Sequence, residues 1–508
     1  MKRGFTIICL CLLSCTVRAA TYTSATASLS DVQTAVTSAS NGDTVNVPAG
    51  TATWTGTLSI GTDIQLIGAG IGQTVITDGA GYGTALVSVG TVSNYLGRLS
   101  GFTFQGPGSS GHANTGAIEL GGYCHTFRLD HCEFDNLDKY SIFTHDWVYG
   151  VIDDCVFSNC TSSIEVKMEG YGGQQNGDGS WADADSWGTT NAIYIENNIF
   201  FNTGGLDSCD GARVVFRNNY VLNQGVANHG TESSGRERST RTYEIYGNTF
   251  NCPTNSGAHQ SWAVYFRGGT GVVFSNLITG GIQKVALLAA YREWNSPWPA
   301  WGNVNPLNHW DSSAATFDSG HATSSGAVLT DSGKSWTPNQ FAWSGYFLCN
   351  TNSGMAWAIT ANDATTITTE GGYHTIAGGT GVDSYFTSGD GYQIYYVNYI
   401  LDQPGTGQGN LITGDTPLNS TTGTAVWPNE AADPIYIWGN TLNYQYPDAA
   451  YGPAVNGAVG QNIVVNGRGY VNGTAKPGYT PMVYPHPLVA GNPTPPTITP
   501  GGAPPWFW

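Results

Sequence analysis

Apolar and polar residues alternate with period two along much of the chain, and short turns rich in Asn, Asp and Gly interrupt the alternation. Seven segments repeat one version of it: FRLDHCEFDN (127–136), GVIDDCVFSN (150–159), IYIENNIFFN (193–202), VVFRNNYVLN (214–223), YEIYGNTFN (243–251), VVFSNLIT (272–279) and IYIWGNTLN (435–443). Alternation over four to eight residues predicts strands with one buried face. Aligned on Cys132, Cys155, Asn198, Asn219, Asn248 and Asn276, the segments recur at steps of 23, 43, 21, 29 and 28 residues. The minimum step is one coil of a β-solenoid, in which three short parallel strands stack on their counterparts in the next coil. Apolar side chains then point inward, and the turn asparagines bond along the stack as a ladder. Cys132 and Cys155 become stacked neighbours within disulfide reach, either bonded or two buried thiols.

The segment SLSDVQTAVTSAS (28–40) breaks this period. Its Leu29, Val32, Ala35, Val36 and Ala39 fall at helical spacing behind a Ser cap, which predicts a helix plugging the open end of the solenoid. GDTVNVPAGT (42–51) and IQLIGAGIGQTVITDG (64–79) then alternate strands with Gly turns. In these residues the chain resembles the pectate-lyase-like superfamily of right-handed parallel β-helix proteins, over residues 22–310 and again over 395–490. The resemblance implies an all-β, right-handed parallel β-helix; no motif of one enzyme family is complete. Between Ser312 and Tyr395 the ladder pattern gives way to alternating strands with tight turns, read as an inserted small β domain. The organisation expected is a leader at 1–19, β-helix at 20–311, insertion at 312–395, closing coils at 396–490 and a Pro-rich extended tail at 491–508.

Composition agrees with a turn-rich all-β chain: 69 Gly and 23 Pro in 508 residues, with only 11% charged. The start MKRGFTIICLCLLSCTVRA is a basic and then apolar leader with Val17 and Ala19 placed for cleavage, so export is expected. A lipid anchor at Cys15 is the alternative, because Leu12-Leu13-Ser14-Cys15 resembles a lipoprotein box. No later apolar run reaches the roughly 18 residues of a membrane span. Without its leader the chain has fifteen basic residues against 36 acidic, a net charge of −21 that disfavours nucleic acid as a partner. Seven cysteines remain, irregularly spaced and without a zinc or redox motif. A monomer is expected.

Residues of successive coils meet in columns on the outside of a solenoid. Such columns bring together His145 and Asp146, Lys167 and Glu169, Asp207 and Asp210, His229 and Glu232, and Arg267. Eight of the fifteen basic residues lie between Arg213 and Arg292, and the stretch HGTESSGRERSTR (229–241) adds excess length to its coil. A local cationic cluster can bind an anionic sugar despite the acidic remainder, since screening confines each field to roughly 8 Å. Arg241, Arg236, His229, Glu232, Asp210 and Arg267 are therefore the catalytic candidates. Arg238, Lys167, Glu169, Tyr291 and Arg292 are candidates for substrate binding, with Trp294, Trp298 and Trp301 as flat faces for sugar rings. The competing reading has the arginines pairing with Glu232, Glu237 and Glu244 to brace a loop, and the tryptophans packing that loop down. No cofactor is required; Asp207 and Asp210 are candidate calcium ligands, with a solvated acidic loop as the alternative.

Polysaccharide is the partner this pattern implies. Elimination beside a uronate needs a base and a cation on the carboxylate, for which the arginines are placed, and is slightly favoured. Hydrolysis needs two carboxyls, drawn from Glu169, Asp207, Asp210 and Glu232. The rival class is a non-catalytic adhesin or a structural, phage-like solenoid, because the fold alone serves both ends.

Overall fold

The computed structural model describes residues 19–91, 95–106, 113–170, 177–230, 238–253, 261–289, 316–342, 346–353, 355–369, 384–396, 404–408, 430–445, 455–457, 464 and 466–489. The leader with Cys15, Glu232, Arg236, Tyr291, Arg292, Trp294, Trp298, Trp301 and the Pro-rich tail lie outside the described residues.

From Thr44 onward the chain visits three parallel sheets in rotation, one strand on each per coil. The first face has twelve strands, from Thr21–Thr23 to Tyr470–Asn472; the second has ten, from Gly50–Trp54 to Thr441–Tyr444. The third face begins with six strands, Leu58–Ile60, Val87–Thr91, Ala113–Gly122, Lys139–Thr144, Ser162–Val166 and Asp207–Ser208. It continues through a bridge between Leu206 and Val226 into four more, Val226–Ala227, Val264–Phe266, Ala286–Leu288 and Val455–Gly457. This is a parallel β-helix, and crossovers between parallel strands are right-handed in nearly all proteins.

Register turns the alternation into interior columns. Leu66, Leu99, Leu129, Ile152, Ile195, Phe216, Ile245, Val273 and Ile437 stack inside the first face. Phe104, Phe134, Phe157 and Phe200 stack inside the second with ring centroids 5.4, 5.0 and 4.8 Å apart. Each such side chain contributes about 1.5–3 kcal/mol by leaving water, so the column is the main source of cohesion between coils.

The turn between the first two faces carries the ladder. Asn198, Asn219, Asn248 and Asn276 each accept at Oδ1 a backbone N–H from the coil below, at 2.8–3.0 Å, and Asn440 accepts that of Asn276. The residue before each ladder position has positive φ (Asn197, Asn218, Gly247, Ser275, Gly439), a conformation that Asn and Gly adopt at low cost. Cys155 and Cys132 continue the column as buried free thiols, the second of the two alternatives read for them. The ladder passes from Asn276 to Asn440; the coil first completes its strands Leu277–Gly280 and Ala286–Leu288, and an excursion follows before the chain returns to the same stack.

That excursion contains a six-stranded antiparallel sheet whose strands run between Thr316 and Tyr396, with its own core of Trp336, Phe341, Trp357, Phe386 and Tyr392. At the other end, the helix α1 (Leu29–Ser38) starts at Ser28, whose hydroxyl accepts from the Asp31 N–H. It buries Val32, Ala35 and Val36 against the first coil, as the spacing predicts. Among the described residues no helix is long and apolar enough to cross a membrane.

Candidate functional site

Chemistry gathers on the outer surface of the third face. Ile118, Ile142 and Ile164 point inward, so the next residue of each strand points out, and register aligns Glu119, Phe143, Glu165 and Asp207 in one outward column. Two residues further along, His145, Lys167, Cys209, His229 and Arg267 form a parallel column. Backbone N–H groups of His145, Lys167, Cys209 and His229 bond the coil before them and fix this alignment. Four sequence candidates, His145, Lys167, His229 and Arg267, thus share one column. Glu169 and Asp210 flank it, with Asp210 Oδ2 lying 3.1 Å from Lys167 Nζ.

The groups are wired in pairs. His145 lies between Glu119, against its Nε2, and Glu169 Oε1, 3.1 Å from its Nδ1. Burial disfavours the charged imidazole, but the two carboxylates outweigh it and raise its pKa to about 9. Asp207 meets His229 Nε2 at 2.8 Å and Arg267 at 3.5 Å. Burial works against its charge, yet these cations hold its carboxyl below the ordinary range. Glu165, its register neighbour, is 3% exposed and responds in the opposite sense. Burial first, and the charge of Asp207 second, push Glu165 up to about 7. The Cys209 thiol donates to Glu165 Oε1 at 3.3 Å. The face therefore presents one carboxyl held toward its protonated form beside one held ionised.

Glu119 and Glu165 were not among the residues singled out from sequence. Their signal is the apolar-acid-apolar triplets Ile118-Glu119-Leu120 and Ile164-Glu165-Val166, legible once the third strand of each coil is aligned.

Arg238 and Arg241 stand elsewhere, which corrects their expected exposure on the groove. Both are buried and lie over the ring of Trp181, at 4.6 and 5.5 Å from its centroid. Trp181 belongs to the short helix α2 (Asp178–Ala182), and its indole donates to Ser239 O at 2.8 Å. Arg241 Nη2 reaches Asp185 at 2.6 Å and Asp183 O at 3.2 Å, while Arg213 donates to Ser180, Ala184 and Ser186. The acidic loop 177–188 is thus pinned by three buried arginines, and Glu244 turns instead to Tyr479 and Gly188. These arginines brace the loop 177–188; of the glutamates expected as their partners, Glu232 and Glu237 lie outside the described residues.

Asp207 and Asp210, the candidate calcium ligands, each face a cation: Asp207 has His229 and Arg267, and Asp210 has Lys167. Among the described residues no three or more His, Cys, Asp or Glu side chains are grouped to hold a metal ion.

No profile of a known protein family matches the chain, and no curated protein matches it. Solved structures similar to it include the ORF18 protein of Geobacillus virus E2, at 12% identity over 70% of this chain and 74% of that one, with a TM-score of 0.33. The bacteriophage phi29 gene product 12 aligns at 14% identity over 52% of this chain, with a TM-score of 0.31, and the match spans 45% of the phage protein. An alginate lyase from Paenibacillus sp. str. FPU-7 aligns at 16% identity over 51% of this chain and 95% of that one, with a TM-score of 0.22. The chain's own three parallel sheets make it a parallel β-helix, the fold implied by its resemblance to the pectate-lyase-like superfamily.

Proposed function

We propose that the protein binds a polysaccharide along the outer surface of its third face and cleaves it there by hydrolysis. The observation that carries this reading is the Glu165–Asp207 pair, register neighbours whose surroundings move their proton affinities in opposite directions. Such a split assigns acid and base roles. Glu165 holds the proton for the leaving oxygen. Asp207, 23% exposed at its side chain, is the ionised group that meets the sugar. His229 and Arg267 keep Asp207 charged, and Lys167 and His145 extend the polar row for substrate hydroxyls. Side chains starting on adjacent strands about 4.8 Å apart suit the short separation of a retaining pair, roughly 5–5.5 Å, better than the 6.5–9.5 Å that an inverting pair needs. Elimination is less well served, because Arg238 and Arg241 are committed to the loop.

The test is incubation with neutral and acidic polysaccharides, read by a reducing-end assay and by ultraviolet absorbance for unsaturated ends. New reducing ends without unsaturation are expected, and Asp207→Asn and Glu165→Gln are expected to reduce them by about 10²–10⁴-fold. Unsaturated products would overturn hydrolysis in favour of elimination. The coverage of Glu165 favours a second reading, binding without cleavage, and retained binding with silence in both assays would establish it.

A further inference from the structure

A cluster of aromatic rings lies where the third face turns into the first, in the two coils that carry Glu119 and His145. Tyr123 and His125 follow the strand that ends at Gly122; Trp147 and Tyr149 follow the strand that ends at Thr144. Trp147 N–H donates to Gly122 O and Tyr149 N–H to Cys124 O, both at 3.0 Å, so the two turns stack as the coils do. The ring of Trp147 is 5.9 Å from Tyr123 and 5.0 Å from His125, and His125 is 4.7 Å from Tyr149.

Tyr149 is buried and anchors the group, whereas Tyr123 is 45% exposed, His125 is exposed and Trp147 is half-buried. Tyr149 belongs to the core and Trp147 packs against it, so the open ring surface comes from Tyr123, His125 and the uncovered part of Trp147. Trp147 lies two residues beyond His145, which ties the cluster to the end of the polar row. Asp207 is two coils further along the stack, roughly 10 Å at the usual strand spacing.

We infer that Tyr123, His125 and Trp147 form a stacking platform for an uncharged sugar ring of the glycan that lies along the third face. The inference rests on the reading of that face as a polysaccharide site. Flat apolar ring faces with polar edges match the C–H faces and hydroxyl edges of a pyranose. An uncharged ring is the suitable occupant because Tyr123 and Trp147 offer apolar ring faces and no ionic group of their own. The polar row and the platform would then hold different sugars of one chain.

Affinity electrophoresis of the full chain in gels containing dextran, galactomannan, pectate or alginate separates the outcomes. In a gel that retards the wild type, Tyr123→Ala and Trp147→Ala are expected to weaken retardation about tenfold, the scale of one aromatic contact. Tyr123→Phe and Trp147→Phe keep the ring face and are expected to retain it. Tyr123 is exposed, so its variant carries little risk to the fold if Trp147→Ala proves unstable. Equal retardation of wild type and Tyr123→Ala would overturn the platform and leave the polysaccharide reading standing. Retardation of the wild type by none of the four would overturn both. Self-association abolished by Tyr123→Ala, with no change in glycan binding, would identify the cluster as a contact between copies and overturn it as a sugar platform.

Discussion

The C-terminal segment 479–489 crosses the outside of the first face, and two groups it covers titrate in opposite senses. Tyr479 donates to Glu244 Oε2 at 2.6 Å; Arg217 donates to Met482 O at 2.8 Å; His486 N–H donates to Glu196 Oε1 at 2.8 Å. His486 is 2% exposed, and burial, followed by the charges of Arg217 and Arg128, lowers its pKa to about 4. Glu244 is 3% exposed, and burial raises its pKa to about 7. An imidazole that the closed segment keeps neutral costs stability as pH falls from its ordinary 6.5 toward 4. A carboxyl that the closed segment keeps protonated costs stability as pH rises from its ordinary 4.5 toward 7. At its limit each of these effects amounts to roughly 3 kcal/mol. Between about pH 4.5 and 6.5 the open segment binds one more proton at His486 and one fewer at Glu244, so the two slopes cancel.

Removing either group exposes the other's slope. Glu244→Gln keeps an acceptor for the Gly188 N–H, leaves the Tyr479 hydroxyl to accept from the new amide, and is expected to make closure of the segment about 2–3 kcal/mol more favourable at pH 6.5 than at 4.5, relative to wild type. His486→Asn, which keeps an acceptor for the Leu488 N–H, is expected to shift it by a similar amount in the opposite direction. Hydrogen exchange of the amides in 479–489 measures this local opening directly. If both variants follow the wild-type pH dependence, the opposed titrations are refuted.

Three further expectations follow from the site and its supports. Asn219→Ala deletes four ladder bonds, to the Asn198 backbone and side chain, Ile195 O and Asn248, in a buried column. At about 1 kcal/mol per bond, plus unsatisfied partners, the loss is about 3–5 kcal/mol, read as a fall in the denaturation midpoint; less than about 1 would refute it. Arg241→Ala strips Asp185 of its cation and is expected to open the loop 177–188 to proteases while cleavage stays within about threefold of wild type, as for bracing residues outside the chemistry; collapsed turnover on an intact fold would return this arginine to the active site. If Glu165 is the proton donor, cleavage falls as pH rises through about 7, where it loses its proton, and the limb disappears in Glu165→Gln.

The fold was legible because it repeats. Coil length, inward columns and the ladder through Asn198, Asn219, Asn248, Asn276 and Asn440 all follow from one alternating pattern, whose register a single-residue slip would destroy. The candidate site was legible only in part, because the pattern used for alignment covers the first two faces and the candidate residues lie on the third. His145, Lys167, His229 and Arg267 were placed in one column by counting from the ladder, but Glu119 and Glu165 lie two residues earlier and need their own alignment. The clustering of Arg213, Arg238 and Arg241 in sequence drew attention to charge without showing direction. Their direction depends on Trp181 and Asp185, which come from a loop in another coil and are brought near only by the winding of the chain.

Outward charge alone does not mark the working face, and the first face shows why. Its outer columns hold Arg128, Asp130, Asp153, Glu196, Arg217 and Glu244, as dense in charge as the third face. There the polar groups close on one another and on the C-terminal segment: Arg128 pairs with Asp153 at 2.7 Å, and Arg217 pairs with Glu196 at 2.6 Å beneath Tyr484. The Arg217–Glu196 pair is fully buried, and such a pair adds little net stability but is costly to break, so its value lies in fixing where the segment docks. On the third face the pairs Asp207–His229 and Lys167–Asp210 keep one or both side chains partly open to water. These pairs keep a water-facing edge that the closed pairs of the first face lack. Two faces with similar sequence statistics thus serve different ends: the covered one fastens the C-terminal segment to the coil, and the open one is left available for a ligand.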